Sequence, residues 1–262
     1  MPRDEPSTLP EAEEPAGGVP RMVPGHKWIR ALVDGQVVVD ARAFTFVWEI
    51  PYWPTWFFRP EDLRGELRES DGAARRRGDL EGARRYDFHT AGRVLAGVAK
   101  RYPDSASKEL RKLVTIDFGA VDCWFEEDVE VFVHPRSPFT RVDALASSRH
   151  VVISIDGVVL ADSHKPTMLF ETGAPTRHYL PMTDVKLDLL EPSTTRSSCP
   201  YKGDASYWSA SINDRLERDI AWSYRTPMPE ATPIAGLVCF YDERVDVAVD
   251  GVRQPRPQSH FV

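Results

Sequence analysis

The sequence predicts a mainly β protein built from two tandem small antiparallel β-domains with few short helices. The first observation behind this prediction is an internal repeat, because residues 32–63 match residues 154–185 without a gap at a shift of 122 positions. The identical pairs include Asp34/Asp156 and Gly35/Gly157. A copy of this length can bury a core of its own, so the repeat indicates a duplicated domain and not a solenoid.

The second observation is a hairpin pattern at the start of each copy. Residues 151–155 and 158–160 are rich in β-branched side chains and flank Asp156-Gly157. In the first copy, residues 31–33 and 37–39 flank Asp34-Gly35 in the same way. Asp-Gly readily adopts the positive φ angles of a tight hairpin turn, so each copy is predicted to begin with two antiparallel strands.

The segments follow in a simple order along the chain. Residues 1–24 are rich in Pro, Glu and Gly and are predicted to form a disordered tail, because they cannot bury enough apolar surface to offset their ordering entropy. Residues 28–135 form the divergent first copy, residues 142–251 the second copy, and residues 252–262 a C-terminal tail.

Further strands are predicted inside the copies. In the second copy they cover residues 167–170 and 177–180, followed by a closing pair at 236–241 and 245–249. The closing pair of the first copy is placed at 121–125 and 129–133. Helix is predicted at residues 92–102, within 212–220 and for one turn within 183–190, where the apolar spacing departs from strict alternation.

Composition narrows the classes of function. The net charge of −7 argues against a nucleic-acid partner, because there is no basic excess to neutralise phosphates. The three cysteines form no CxxC pair, so no structural zinc site, and no cofactor, is predicted. Sparse cysteines and the lack of a long apolar run predict a cytoplasmic protein that does not contact a membrane. The oligomeric state is left undetermined.

The copies differ most at residues 199–208, which read CPYKGDASYW, and at 221–224, which read AWSY. Together with ETG-x-P, HYLP, DLLEPS and PIAGLVCFYDERVDVAVDG, these motifs make the chain similar to the family of domain of unknown function 427 (DUF427). The likeness covers nearly all of the second copy, whereas the first copy is a divergent match. The resemblance implies tandem small β-domains, tent-like or sandwich-like, with a ligand-sized cleft and no known activity.

The family has also carried a nucleotidyltransferase-like label. The sequence gives that label little support, because it contains no Gly-Ser followed by paired metal-binding Asp residues.

Four side chains of the second copy are candidates for chemistry. Cys199 is either a packing residue or a nucleophile activated by Lys202. Lys202 and Asp204 either form an ordinary turn around Gly203, or bind an anionic or carbonyl group that Asp204 orients. Glu171 either pairs with Arg177 or a turn amide, or acts as a general base.

Aromatic residues are the second signal. They are either core residues with a satisfied polar edge or the walls of a small-molecule pocket, with polar groups from a neighbouring strand. The candidate ligand-binding residues are Arg177, Tyr179, Tyr201, Tyr207, Trp208, Trp222 and Tyr224.

Two functions remain open from the sequence. The first is a small-molecule-binding module with an aromatic-walled pocket around residues 199–208. The alternative is a metal-independent enzyme of transferase or hydrolase type, in which Lys202 or Cys199 reacts and Glu171 or Asp204 moves protons. The first copy, including Glu49, is expected to be structural.

Overall fold

The computed structural model describes residues 19–70, 76 and 78–259. The chain divides into two compact units, one up to Ser137 and one from Pro138 onward, which we call domain 1 and domain 2. Antiparallel β-strands build both, and the helical segments among the described residues are short 3₁₀ turns. The mainly β, tandem architecture is confirmed.

Domain 1 contains three antiparallel sheets. Its strands are β1 (Met22–Gly25), β2 (Ile29–Val33), β3 (Gln36–Ala41), β4 (Phe44–Val47), β5 (Thr55–Phe57), β6 (Glu66–Glu69), β7 (Arg84–His89), β8 (Val94–Arg101), β9 (Thr115–Ile116), β10 (Cys123–Glu126) and β11 (Val129–Val131). The strand orders are β1-β4-β5 in the short sheet, β11-β10-β2-β3 in the hairpin sheet and β6-β7-β8-β9 in the long sheet.

Domain 2 repeats this plan strand for strand. Its strands are β12 (Val142–Ala146), β13 (Val151–Ile155), β14 (Val158–Ser163), β15 (Thr167–Glu171), β16 (Arg177–Tyr179), β17 (Leu190–Cys199), β18 (Gly203–Ile212), β19 (Arg215–Tyr224), β20 (Cys239–Phe240), β21 (Asp246–Val249) and β22 (Val252–Arg253). Its short sheet is β12-β15-β16, its hairpin sheet β14-β13-β21-β22 and its long sheet β17-β18-β19-β20.

The opening hairpins form at the Asp-Gly pairs. Asp34 and Gly35 have φ angles of 52° and 72°, and Asp156 and Gly157 have 48° and 81°. Both residues of each pair are left-handed, which is the geometry of a two-residue turn that matches the twist of the flanking strands. Both hairpins also carry a bulge at the same place, after Ala31 and after Ile153.

The tails lie partly outside the described residues. Residues 1–18 and 260–262 are not described, so the predicted disorder there remains a prediction. Strand β1 begins at Met22, inside the segment that the sequence assigned to the N-terminal tail, and pairs with β4. Strand β22 likewise extends the hairpin sheet into the segment assigned to the C-terminal tail.

Two predicted helices are wrong. Residues 94–101 form strand β8, which pairs with β7 and β9. The register of the β7–β8 pair shifts between Tyr86 and Phe88, and Gly97 of β8 has a φ of 63°. Residues 212–220 contain the turn Asn213-Asp214, with φ angles of 48° and 60°, between β18 and β19. A two-residue hairpin turn was overlooked there. The turn predicted within 183–190 is present as 3₁₀ segments, Met182–Asp184 and Leu187–Leu189.

The predicted closing strands of domain 2 do not pair with each other. Strand β20 pairs with β19 in the long sheet, whereas β21 pairs with β13 and β22 in the hairpin sheet. The hairpin equivalent to β10–β11 is therefore β21–β22, joined at Asp250-Gly251. The predicted pair at 236–241 and 245–249 is therefore wrong, because a short apolar segment does not by itself indicate which strand it pairs with.

The long sheet of domain 2 packs two different side-chain clusters against its neighbours. One cluster is aliphatic and includes Ile153, Leu160, Ile220 and Val247. The other combines aromatic and small side chains from the short and long sheets. The members of this second cluster are Leu169, Tyr179, Ala205, Tyr207, Trp222, Tyr224, Ala231, Ile234 and Cys239. The candidate site lies beside it.

The hairpin turn gives a direct stability test. We expect Gly35→Ala to destabilise domain 1 by about 1 kcal/mol, because an alanine at φ 72° is strained although no atom lies within 4 Å of its Cβ. Urea unfolding of the full chain measures the change. Gly119→Ala is the matched control, since its Cβ also meets open space but its φ is not positive. Equal stability of both variants would contradict the strained turn.

Candidate functional site

An ion pair between Lys202 and Glu171 lies at the centre of the candidate site. Glu171 is the last residue of β15, and Lys202 lies in the turn between β17 and β18. The Lys202 ammonium donates a hydrogen bond to Oε2 of Glu171, and each side chain is only 13% exposed. Burial alone would lower the pKa of Lys202, but the Glu171 carboxylate and the neighbouring Cys199 raise it above its usual value.

The turn that carries Lys202 requires glycine at its next position. Gly203 has a φ of 98°, and a Cβ there would lie 3.2 Å from the carbonyl oxygen of Thr226. The amide of Met228 donates to the carbonyl of Lys202 at 3.1 Å. The backbone around residues 226–228 therefore holds the turn closely and points the lysine inward.

Cys199 completes the group. It is the last residue of β17, pairs with Gly203 across the hairpin, and has a half-buried free thiol. The thiol lies close enough to the Lys202 ammonium and to Tyr224 to affect the pKa of both. Thus the structure brings together Cys199, Lys202 and Glu171.

Asp204 and Arg177 form their hydrogen bonds outside the group of Cys199, Lys202 and Glu171. Asp204 is exposed and accepts a hydrogen bond from Oγ of Ser198 at 2.5 Å. Arg177 forms two hydrogen bonds with Glu243, at 2.7 and 2.6 Å. Of the alternatives for Glu171, a pairing with Arg177 is not formed, because the guanidinium group binds Glu243, which follows β20.

Four of the candidate aromatic residues are buried together. These are Tyr179, Tyr207, Trp222 and Tyr224. Nε1 of Trp222 donates to the hydroxyl of Tyr179 at 3.1 Å, and the hydroxyls of Tyr207 and Ser197 are 2.6 Å apart. Burial raises the pKa of Tyr179 and of Tyr224, so both remain neutral. This group packs as a core, and hydrogen bonds satisfy the polar edges of Trp222, Tyr179 and Tyr207.

The two remaining candidates lie apart from that cluster. Trp208 follows Tyr207 in β18 and faces the opposite side of the sheet, where it packs against the aliphatic cluster. Tyr201 is half-buried in the turn next to Lys202.

Domain 1 contains a buried charge network that the sequence analysis overlooked. Nζ of Lys100 lies 2.6 Å from Oε1 of Glu49 and 2.9 Å from Oδ1 of Asp79. Asp79 also binds Arg85, at 2.6 Å, and Tyr102 donates to Glu49. All four charged side chains are at most 6% exposed. A sequence signal existed, because AKRY at 99–102 stands where the second copy has AWSY.

Strand pairing shows how the two domains use the same positions differently. Lys100 pairs with Arg85 across β7–β8, and Trp222 pairs with Tyr207 across β18–β19. The charged pair of domain 1 thus occupies the place of an aromatic pair in domain 2. Glu49 and Glu171 occupy one position, but their lysine partners come from different elements.

A small cleft opens beside the network of domain 1. Its volume is about 120 Å³, room for about four waters at about 30 Å³ each. Its walls include Glu49, Trp53, Trp56, Lys100, Asp117 and Phe118.

Comparisons with known proteins identify a family but no activity. Residues 21–127 and 143–251 each match the model of a family described as domain of unknown function (DUF427). The short label of that model refers to nucleotidyl transfer, while its description assigns no function. No curated protein matches the chain. Within the described residues, no helix has the length and apolar character needed to cross a membrane.

The first prediction from this geometry concerns the Lys202–Glu171 pair. Glu171→Gln should destabilise domain 2 by about 3 kcal/mol, because a buried ammonium loses its counter-charge. Adding Lys202→Met should restore most of that loss, which gives a coupling above about 1 kcal/mol in a double-mutant cycle measured by urea unfolding. The exposed pair Arg215–Asp156 is the control, with expected coupling below about 1 kcal/mol. Equal coupling in both pairs would contradict the assignment.

The second prediction concerns Asp79. Burial alone would raise the pKa of its carboxyl, but hydrogen bonds from Arg85, from the Arg76 amide and from Lys100 lower it to about 2 from 3.8. Because the folded pKa is the lower one, the stabilisation is complete above pH 3.8 and is lost as the pH falls through about 2.

We therefore expect the stability difference between wild type and Asp79→Asn to shrink by about 2 kcal/mol between pH 5 and pH 2. Urea unfolding, with hydrogen exchange used to follow domain 1 peptides, measures this difference. A difference that stays constant across the range would show that Asp79 is not held ionised by the network.

Proposed function

We propose that this chain, which belongs to the DUF427 family, is a small-molecule-binding protein whose site lies on domain 2. The observation that carries the proposal is the mostly buried ammonium of Lys202, which pairs with Glu171 and has Cys199 as an electrostatic neighbour. Burying a lysine costs free energy. In domain 2 the buried lysine belongs to residues 199–208, the segment that the two copies do not share.

The charge state of Lys202 indicates how it would bind. Its raised pKa keeps it an ammonium at neutral pH, so it serves as a cation and hydrogen-bond donor. A ligand with a carbonyl or anionic oxygen fits this donor, and a polar hydrogen on the same molecule fits Glu171. The expected partner is therefore a small polar molecule, and the net charge of −7 argues against nucleic acid in its place.

The cleft of domain 1 supports a structural role for that copy. At about 120 Å³ it is well below the roughly 300–1,000 Å³ of common ligand pockets. The charges beside it already balance one another, because Lys100 pairs with Glu49 and Arg85 pairs with Asp79. This copy lacks a thiol at the matching turn.

Binding is the better supported of the two functions. Asp204 faces solvent and contacts Ser198, so it supports no proton transfer at Lys202. A charged lysine is also a poor nucleophile. The three free cysteines support the further proposal that the protein works in the reducing environment of the cytoplasm.

One observation favours the enzyme as a second candidate. The half-buried thiol of Cys199 lies beside the Lys202 ammonium, a neighbour that stabilises a thiolate during nucleophilic attack. In that case Cys199 is the nucleophile, and Lys202 is the cation that stabilises its negative charge.

A metabolite-enrichment experiment tests the binding proposal. The full chain is incubated with a cell extract, and retained small molecules are identified by mass spectrometry. We expect wild type to retain at least one polar compound, and Lys202→Met/Glu171→Gln to retain at least about tenfold less of it, because a charged hydrogen bond is worth about 1.5–3 kcal/mol. Arg215→Gln/Asp156→Asn, which removes an exposed pair, is the control. Identical profiles for all three proteins would overturn the proposal.

Alkylation separates the second candidate from the first. If Cys199 is a nucleophile, iodoacetamide should modify it at least about tenfold faster than Cys123 at pH 7, and Lys202→Met should remove the difference. Cys123 is a suitable reference, because burial and the nearby carboxylates of Glu130 and Asp122 raise the pKa of its thiol. Equal alkylation rates at Cys199 and Cys123 would rule out the hypothesis that Cys199 is an enzymatic nucleophile.

A further inference from the structure

A second group of polar side chains lies on the hairpin sheet of domain 2. His150 immediately precedes β13, Asp162 lies in β14, and His164 immediately follows β14. Val151 pairs with Ser163, which places His150 directly across from His164 on the neighbouring strand. Three side chains that commonly bind metal ions thus meet at one end of a strand pair.

Their geometry is compact. Nε2 of His150 lies 2.7 Å from Oδ1 of Asp162. The two imidazole rings stack with centroids 4.0 Å apart and an interplanar angle of 12°. One ligand atom from each residue lies within 4.8 Å of the other two. Rotation of these half-buried and exposed side chains would bring the three atoms around a single ion.

We infer that His150, Asp162 and His164 form a binding site for a divalent transition-metal ion of the zinc class. Two imidazoles and one carboxylate are a ligand set that suits Zn²⁺, and three protein ligands leave the fourth tetrahedral position for water. When the ion binds at Nε2 of His150, it replaces the hydrogen bond to Asp162, and the neutral imidazole carries its N–H on Nδ1.

The duplication supplies the strongest argument. The matching positions of domain 1 hold Trp28, Asp40 and Arg42, so the aspartate is retained while both of its neighbours differ. There the indole N–H donates to Asp40 at 2.8 Å, and Arg42 lies 4.5 Å from the centre of the indole ring. An indole and a guanidinium group offer no lone pair to a metal. Domain 1 thus satisfies this aspartate internally, and domain 2 surrounds it with ligands.

The surroundings favour a cation in spite of a nearby arginine. Arg149 binds Asp250 at 3.0 Å, so its charge is balanced. The other carboxylate oxygen of Asp250 accepts the backbone N–H of His150 at 2.9 Å, which fixes the chain that carries this ligand. Asp162 is 56% exposed, so an ion can reach the site from solvent.

This site is separate from the one that contains Lys202. It lies on the hairpin sheet, whereas Lys202 and Glu171 lie at the long and short sheets. Substitutions at one therefore leave the other intact, and the two proposals fail independently.

Calorimetric titration of the full chain with Zn²⁺ alone tests the inference. We expect one Zn²⁺ per wild-type chain, and an affinity at least about tenfold weaker after His150→Trp/His164→Arg, which installs the trio of domain 1. That variant preserves the packing type already found in the other copy, so loss of binding does not reflect unfolding. His26→Ala, an exposed histidine elsewhere, should bind as wild type does.

The reciprocal change strengthens the test. Trp28→His/Arg42→His should give domain 1 a second site and raise the stoichiometry to about two, and Co²⁺ in place of Zn²⁺ should show the visible absorption of tetrahedral coordination. Unchanged Zn²⁺ binding in His150→Trp/His164→Arg would overturn the inference. Loss of binding in Cys199→Ser, with that double variant unaffected, would overturn it as well by placing the ion at the thiol.

Discussion

A buried carboxylate at or just after the end of the fourth strand of each copy is the constraint on which the rest of the site depends. Glu49 and Glu171 occupy the same place in the repeat, and both are largely removed from water. A buried anion is tolerated only with a counter-charge and hydrogen bonds. Each domain therefore has to deliver an ammonium group to this point, and each delivers it from a different element.

The choice of lysine shapes the rest of each domain. In domain 1, Lys100 comes from the long sheet and takes Asp79 and Arg85 with it into a buried network. In domain 2, Trp222 occupies the position that is equivalent to Lys100. It is uncharged and packs with the other aromatic side chains of the interior. The ammonium then arrives from the turn at Lys202, and the same turn brings Cys199 beside it. The thiol is thus a consequence of satisfying the carboxylate from another direction.

A second acid is retained in both copies, at a more exposed place in the hairpin sheets. Asp40 and Asp162 occupy equivalent positions on the two hairpin sheets. In one copy the acid bonds to an indole N–H, and in the other it lies against a histidine ring. Both copies thus have an aspartate at this strand position, and they differ in the side chain that forms a hydrogen bond with it. Function can diverge through the partners.

Local rules explain what could be predicted. The Asp-Gly turns and the alternating strands around them act over a few residues, and they appear where expected. The predicted helix at residues 92–102 failed because strand pairing with β7 outweighed the spacing of its apolar residues. The candidate group of Cys199, Lys202 and Glu171 was recognisable by residue type. Asp204 and Trp208 belonged to the same motif, but strand alternation directs them elsewhere.

The sequence by itself determined the duplication, the hairpins, the mainly β class and the segment that the copies do not share. All of these follow from spacing along the chain. Only the tertiary structure decided which donors reach each buried acid. Lys202 and Glu171 are 31 residues apart, and Tyr102 and Glu49 are 53 apart. Such pairs are fixed by the order of strands in the sheets and by the need to neutralise charge away from water, and neither is encoded in a local pattern.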